Sequence, residues 1–337
     1  MAEHLPQHLL LALEARALEA ITHWGLADVR PELLKYRENA VFRVTLADGE
    51  PAALRLHRPG YHDEAALRSE LQWMTALGDG GLTVPSAIAT PDGRLLVHLD
   101  PTDDFGAQHA DIVSWLDGSP FGESGVPLAH SGERQIVLFH ALGAMMADMH
   151  NLADRWSAPS GFKRPAWDIA GLLGERPVWG RFWDCEGLSV EQRCGLGILR
   201  DRLRSILENV PAGEFDYGLV HADLVRENVL VCDDGVAFID FDDAGFGFRL
   251  FDIATALLKN RNEPAYEAIE RALIEGYRSK RPLTDPALSA LPIFMALRSL
   301  TYIGWFAARP ELPDAEARVR GYADEALLLA QALPVLA

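Results

Sequence analysis

Apolar residues along this chain follow two periods, and the change between them divides it. From Val41 to Leu56 they alternate. Phe42, Val44 and Leu46 fall on one face of a strand, Val41, Arg43 and Thr45 on the other, and after an Asp48-Gly49 turn residues 52–56 return antiparallel. Helical spacing precedes this hairpin, with Leu10, Leu13, Ala17 and Leu18 near one face of residues 6–20. It also follows it, with Leu67, Leu71 and Met74 spaced by four and three within residues 64–77. Residues 85–89, 95–99 and 110–115 are strand-like and would complete a small sheet. The turn-rich stretch 117–122 then punctuates the chain. Beyond it, helical spacing dominates over residues 136–152, 190–207, 265–277, 286–306 and 315–333. Three short apolar runs interrupt it, 217–220, 229–231 and 236–239, the last two joined by Asp233-Asp234-Gly235. The pattern predicts an α+β protein in two parts. Residues 1–116 form a small antiparallel sheet with one key helix, and residues 117–337 form a larger, mostly helical lobe.

The chemistry-bearing residues stand where strands end. His221 and Asp223 follow the first short run, Asn228 directly precedes the second, and the hairpin returns Asp240 beside it. Phosphoryl transfer needs such a set: a carboxylate to orient an attacking hydroxyl and take its proton, and oxygen ligands to hold magnesium on the ATP phosphates. Asp223 is the candidate base, Asn228 a second catalytic candidate that also serves the metal, and Asp240 the main metal ligand. Asp242 is a second ligand or the true one; Asp240 is preferred because it directly follows the buried strand. Chance placement of polar residues is the competing reading, and the joint match of spacing and flanking strands outweighs it. In the first part, Glu70 is three after Leu67 and four before Met74, so it lies on the helix face that must be buried, where a carboxylate needs a partner. Arg55, on the returning strand, is the expected partner.

His-x-Asp-x-x-x-x-Asn followed by a hairpin and Ile-Asp is the kinase catalytic loop with its metal aspartate. Ala222 replaces the Arg of His-Arg-Asp, and Asp242 the Gly of Asp-Phe-Gly. In this the chain resembles the aminoglycoside phosphotransferase and choline kinase group. Leu54-Arg55-Leu56-His57-Arg58-Pro59, the helix with Glu70, residues 241–244 and residues 298–305 extend the likeness over most of the chain. They look most like the bacterial stress-response kinase A branch, some of whose members phosphorylate protein serine or threonine.

The resemblance implies a bilobal kinase-like fold, ATP and Mg2+ as cofactors, and a hydroxyl-bearing acceptor. It sets Arg55 at the position of the usual lysine, where arginine offers two parallel bonds to phosphate instead of a point charge. Residues 36–39 fall where a kinase places its phosphate loop. That stretch has no glycine, and its amides and the Asn39 side chain are the candidate phosphate contacts. The segment 111–116 would bond the adenine edge, which makes Ser114, Trp115 and Leu116 candidate nucleotide contacts. Asp252 resembles the aspartate that bonds back to the catalytic loop, and His221 would brace that loop. Arg226 has no fixed counterpart: it stabilises the transferring phosphoryl group or is simply a surface residue. The short loop 243–248 stands in for an activation segment, which argues against control by phosphorylation there. Trp167, Trp179 and Trp183 either wall an ammonium-bearing acceptor or pack residues 161–185 onto the lobe, the latter being preferred.

Composition narrows the partners. The net charge of −18 repels nucleic acid and anionic membrane, so ATP must be captured by local basic groups and metal. Its simplest role is solubility. Cys185, Cys194 and Cys232 show no metal-ligand spacing and fit a reducing cytoplasm. No basic-then-apolar leader and no run of membrane-spanning length is expected, which points to a cytoplasmic protein. Oligomeric state is left open. The expected function is ATP- and Mg2+-dependent phosphorylation of a small-molecule hydroxyl, such as an aminoglycoside, a choline-like alcohol or homoserine. The alternatives are a serine/threonine protein kinase and a non-catalytic nucleotide-binding module, the latter favoured only by Arg55.

Overall fold

The computed structural model describes all residues except 1–4, 38, 212, 234, 313 and 334–337. Glu38 of the expected phosphate loop and Asp234 of the expected turn lie outside the described residues. The chain divides into two compact units just past Gly118, and residues 157–163 return to the first.

The first unit runs α1 (Gln7–Ile21), β1 (Glu32–Tyr36), β2 (Asn39–Thr45), β3 (Pro51–His57), α2 (Glu64–Asp79), β4 (Val97–Leu99) and β5 (Gln108–Ser114). Its sheet has the order β1-β2-β3-β5-β4, antiparallel throughout. Strand β1 escapes the alternation rule because its pairing with β2 shifts register between Leu33 and Lys35. Conversely, residues 85–89 form no strand; they make a single bridge from Ala87 to Val113. Ala40, Phe42, Val44, Ala52, Leu54, Leu56, Ala110 and Ile112 bury one face of the sheet together with Leu13, Ala17 and Ile21 of α1. Strand periodicity therefore places Asn39, Val41, Arg55, His57 and Asp111 on the other face. Helix α2 is capped by Asp63, which accepts the Ala66 N–H at 2.9 Å, and its Ser69 hydroxyl accepts the Lys163 N–H at 2.8 Å, which anchors residues 157–163.

The second unit holds β6 (Ser119–Pro120), α3 (Gly132–Arg155), β7 (Ala166–Trp167), α4 (Ile169–Leu173), α5 (Val190–Asn209), β8 (Tyr217–Val220), β9 (Val229–Cys232), β10 (Gly235–Phe238), β11 (Gly245–Phe248), α6 (Arg249–Leu258), α7 (Tyr266–Arg278), α8 (Asp285–Ser289), α9 (Leu291–Ala307) and α10 (Ala315–Leu329). Its strands form two three-stranded sheets, β10-β9-β6 and β7-β11-β8. Part of the expected 243–248 loop is in fact strand β11, antiparallel to β8. The expected helix 286–306 is two helices, α8 and α9, broken at Ala290.

Helix α3 also departs from expectation: by length and composition it could cross a membrane. Here its apolar side, with Leu138, Leu142, Met146 and Met149, is buried within the unit. It packs on α7, with Gly143 against the Leu273 carbonyl and Gly276 against the His140 carbonyl. A Cβ at either glycine would collide with the neighbouring backbone.

Candidate active site

In the first unit, Arg55 and Asp111 are register partners on β3 and β5. Arg55 Nε donates to Asp111 Oδ1 at 2.7 Å, and Nη2 donates to Oδ2 at 2.8 Å. Nη1 donates to Glu70 Oε1 at 2.6 Å. The expected Arg55–Glu70 pair is present, but it is the single-bonded half of a larger cluster. Burial works against the guanidinium's charge, and the adjoining Asp111 and Glu70 more than offset it, so its pKa rises well above the ordinary value. Burial likewise opposes ionisation of Asp111, yet Arg55 and His57 hold its carboxyl well below the usual range. An ionised carboxylate only accepts, so His57 Nε2, at 2.8 Å from Asp111 Oδ2, carries the proton of that bond.

The other candidates of this unit are less uniform. Asn39 is buried and pairs in register with His57, on the sheet face of Arg55. The expected loop around it is shorter than 36–39, because Tyr36 belongs to β1 and Asn39 to β2. Ser114 is engaged within its own unit: its N–H donates to the Ser86 carbonyl at 2.8 Å and its hydroxyl accepts the Ser86 N–H at 2.9 Å. Those bonds occupy its N–H and hydroxyl, and the half-buried Trp115 and Leu116 follow it in the segment. Arg43 lies over the Trp115 ring, 5.2 Å from its centroid.

In the second unit, the loop after β8 is held from beneath. The His221 and Ala222 N–H groups donate to the two Asp252 carboxylate oxygens at 2.9 and 2.7 Å. His150 Nε2 meets Asp252 Oδ2 at 3.0 Å, and its Nδ1 meets the Tyr277 hydroxyl at 2.9 Å. His150 thus bridges two side chains, Asp252 and Tyr277. Burial, with Arg249 nearby, pushes its pKa down to about 4. The His221 ring reaches the Ile239 carbonyl at 3.1 Å, joining the loop to the end of the hairpin. Ala222 and Asp240 both take the left-handed backbone conformation, each with φ of +66°, which non-glycine residues rarely adopt.

Asp223 is gripped on both oxygens. Asn228 Nδ2 donates to Oδ2 at 2.8 Å and to the Asp223 carbonyl at 3.0 Å. Arg298 Nη2 donates to Oδ1, and Arg298 Nη1 donates to the Ala222 carbonyl at 3.1 Å. Arg298 is fully buried among the Trp179, Tyr302 and Phe251 rings, whereas the Asp223 side chain remains 23% exposed. Asn228 uses its amide nitrogen toward Asp223, so its Oδ1 is the atom suited to a cation. Asp240 is half-buried and Asp242 almost fully buried. The donors are thus hard oxygens. Among the described residues no three His, Cys, Asp or Glu side chains gather into a cage. Such a set suits a cation like Mg2+, which keeps waters and substrate phosphates in its shell.

Arg226 is neither a surface residue nor placed for phosphate. It is buried, bonded to Asn260 Oδ1 at 2.9 Å, to Glu263 Oε1 at 2.5 Å and to the Val126 carbonyl at 2.5 Å. The tryptophans pack as preferred: Trp167 stacks on Phe251, Trp179 lies edge-on to Trp167, and Trp183 is covered by Arg200. Sequence reasoning missed Asp111, His57 and Arg298 as site partners. For Asp111 a signal existed, since a carboxylate within an apolar strand needs a partner on its own face.

The phosphotransferase enzyme family model matches residues 32–283. The chain is 31% identical to a microcompartment-associated aminopropanol kinase of known structure, covering 94% of this chain and 96% of that one with a TM-score of 0.80. It is 24% identical to the amicoumacin kinase of Bacillus subtilis, over 85% of this chain and 82% of that one. A second amicoumacin kinase, solved with AMP-PNP, Ca2+ and Ami, shares the fold at 22% identity and a TM-score of 0.72, covering 88% of this chain and 87% of that one.

Proposed function

The chain belongs to the phosphotransferase enzyme family, and from that premise we propose that it transfers the γ-phosphate of Mg2+-bound ATP to the hydroxyl of a small molecule. Asp223 carries the proposal. It is a solvent-reaching carboxylate braced on both oxygens, by Asn228 on one side and Arg298 on the other. Asp223 orients the acceptor hydroxyl and takes its proton as the phosphoryl group arrives. Asn228 Oδ1 and Asp240 hold the divalent ion, which neutralises charge on the phosphates when bound. Arg55, fixed by Glu70 and Asp111, binds nucleotide phosphate, with Asn39 on the same sheet face, and Trp115 and Leu116 line the base. The first unit serves as the nucleotide-binding part, and the second unit as the catalytic and acceptor part.

The relatives named above carry small-molecule names, which favours a small hydroxyl compound, an amino alcohol in particular, over a protein acceptor. A non-catalytic module would have no use for a carboxylate so braced and left open to water. The test is ATP consumption with Mg2+ across amino alcohols, homoserine, choline, aminoglycosides and a generic protein acceptor. Turnover with a small hydroxyl compound is expected; phosphorylation of the protein alone would reverse the choice. For the metal, Asp240→Ala is expected to weaken Mg-ATP binding more than Asp242→Ala does, and the opposite order would exchange their roles.

A further inference from the structure

We infer that Asp111 is a positioning residue for Arg55, the companion that allows an arginine to work where a lysine would need only Glu70. This rests on the reading that Arg55 binds nucleotide phosphate. A guanidinium carries five N–H groups. Asp111 accepts from Nε and from one N–H of Nη2, and Glu70 accepts from one N–H of Nη1. One N–H on each terminal nitrogen is left for phosphate.

The Nε edge is the part of arginine that lysine lacks. Buried in a sheet face, that edge would be costly without acceptors. Asp111 satisfies it from the neighbouring strand, in direct register. Two parallel bonds fix the fork in its plane, whereas the single bond to Glu70 would let it turn. Asp111 is itself held: His57 Nε2 meets its Oδ2 at 2.8 Å, and Gln108 Nε2 donates to the His57 carbonyl at 3.1 Å. The fork is therefore aimed before any nucleotide arrives.

The arrangement has a cost that makes the idea testable. Asp111 and Glu70 bring two carboxylates onto the one guanidinium. A lysine at position 55 would have no fork to occupy Asp111, and the carboxylate it fails to engage would oppose phosphate. Asp111 should therefore help an arginine and hinder a lysine.

Binding of Mg-AMP-PNP, measured by calorimetry, tests this without an identified acceptor. Asp111→Asn is expected to weaken binding by about 10- to 100-fold, the scale of a lost charged hydrogen bond. Arg55→Lys is expected to weaken it too, and Arg55→Lys/Asp111→Asn to bind more tightly than Arg55→Lys alone. If the two substitutions instead multiply their losses, Asp111 is only structural and the inference is overturned. Asp111→Asn binding like wild type, with Arg55→Ala impaired, overturns it while leaving the role of Arg55 intact. Arg55→Ala binding like wild type removes the premise itself. Thermal unfolding of each variant accompanies the titrations. Should Asp111→Asn fail to fold, Arg55→Lys with and without Asp111→Asn decides the matter, and equal or weaker binding in the double variant counts against it.

Discussion

The two units fix their central charged residue in opposite ways. In the first, a cation is held by carboxylates: Arg55, on a regular strand, lies between Asp111 and Glu70, and all three are buried. In the second, a carboxylate is held by a cation and an amide: Asp223, on a loop, lies between Arg298 and Asn228 and keeps contact with water. The sheet supplies its geometry through register, so nothing unusual is asked of the backbone. The loop has no ladder to lean on. It takes its shape from Asp252, from left-handed Ala222 and from the hairpin end at Asp240. The difference follows from the work proposed for each. A phosphate-binding group gains from rigidity and loses little by being enclosed, whereas a base must meet a substrate that comes from solvent.

If that contrast is right, the largest effect belongs to the exposed carboxylate. Asp223→Asn is expected to lower turnover by about 10²–10⁴-fold while leaving nucleotide binding near wild type. Unchanged turnover on an accepted substrate would remove Asp223 as the base. The enclosed cation should behave in the reverse sense, chiefly through stability. Arg55→Ala removes the guanidinium from between two buried carboxylates, and a loss of about 3–5 kcal/mol is expected in denaturant unfolding. A loss within about 0.5 kcal/mol, the range of surface substitutions, would contradict the buried cluster. Because Asp111 would still lack the guanidinium, Arg55→Ala/Glu70→Ala should recover only part of that loss.

The same contrast explains what the sequence disclosed. Alternation in β2 and β3 and helical spacing in α2 were enough to bring Arg55 and Glu70 together, because both signals are local. For Asp111 the local pattern shows only that a partner is needed; that the partner is Arg55 depends on the pairing of β3 with β5, which spans a long separation. The loop residues were legible for another reason. His221, Asp223, Asn228 and Asp240 sit at spacings that phosphotransfer chemistry requires, so they could be named without the fold. Arg298 could not be read that way. It comes from α9, far along the chain, and its helix is apolar enough to pass as plain core. Strand β11 escapes a local reading because Gly245 and Gly247 weaken the strand signal, while its pairing with β8 and β7 is a tertiary matter.

A smaller effect should appear in the pH dependence of stability, from the brace beneath the loop. His150 is enclosed by Asp252, Tyr277, Arg249 and Arg281, and its folded-state pKa is pushed from 6.5 down to about 4. As pH falls below 6.5, the unfolded chain takes up a proton that the folded chain refuses. Stability is thus lost between about pH 6.5 and pH 4 and levels off below, the sign opposite to that of a histidine that gains a partner for its charged form. A shift of this size corresponds to at most about 3 kcal/mol. His150→Gln should flatten the curve in that window, and a slope unchanged from wild type would place the acid sensitivity elsewhere. Asp252 acts mainly at the acid end of that window and below, because a depressed carboxylate loses its contribution as pH falls through its ordinary range.

The smallest expected effect tests the grip on Asp223 itself. Arg298→Lys keeps a positive charge but loses the fork that reaches the Ala222 carbonyl, Asp223 Oδ1 and the Tyr302 hydroxyl together. Because Asp223 retains contact with water, its desolvation is partial, and the cost should fall below that of the Arg55 cluster. A loss of about 1–3 kcal/mol is expected. The informative measurement is a cycle with Asp223→Asn, which still fills the site but no longer carries charge. If Arg298 serves mainly to hold the carboxylate, Arg298→Lys should cost markedly less stability in the Asp223→Asn background than in wild type. Equal costs in both backgrounds would mean that Arg298 is held by its aromatic neighbours and the Ala222 carbonyl alone. The base would then owe its position to Asn228, and the mirror relation between the two units would fail at this residue.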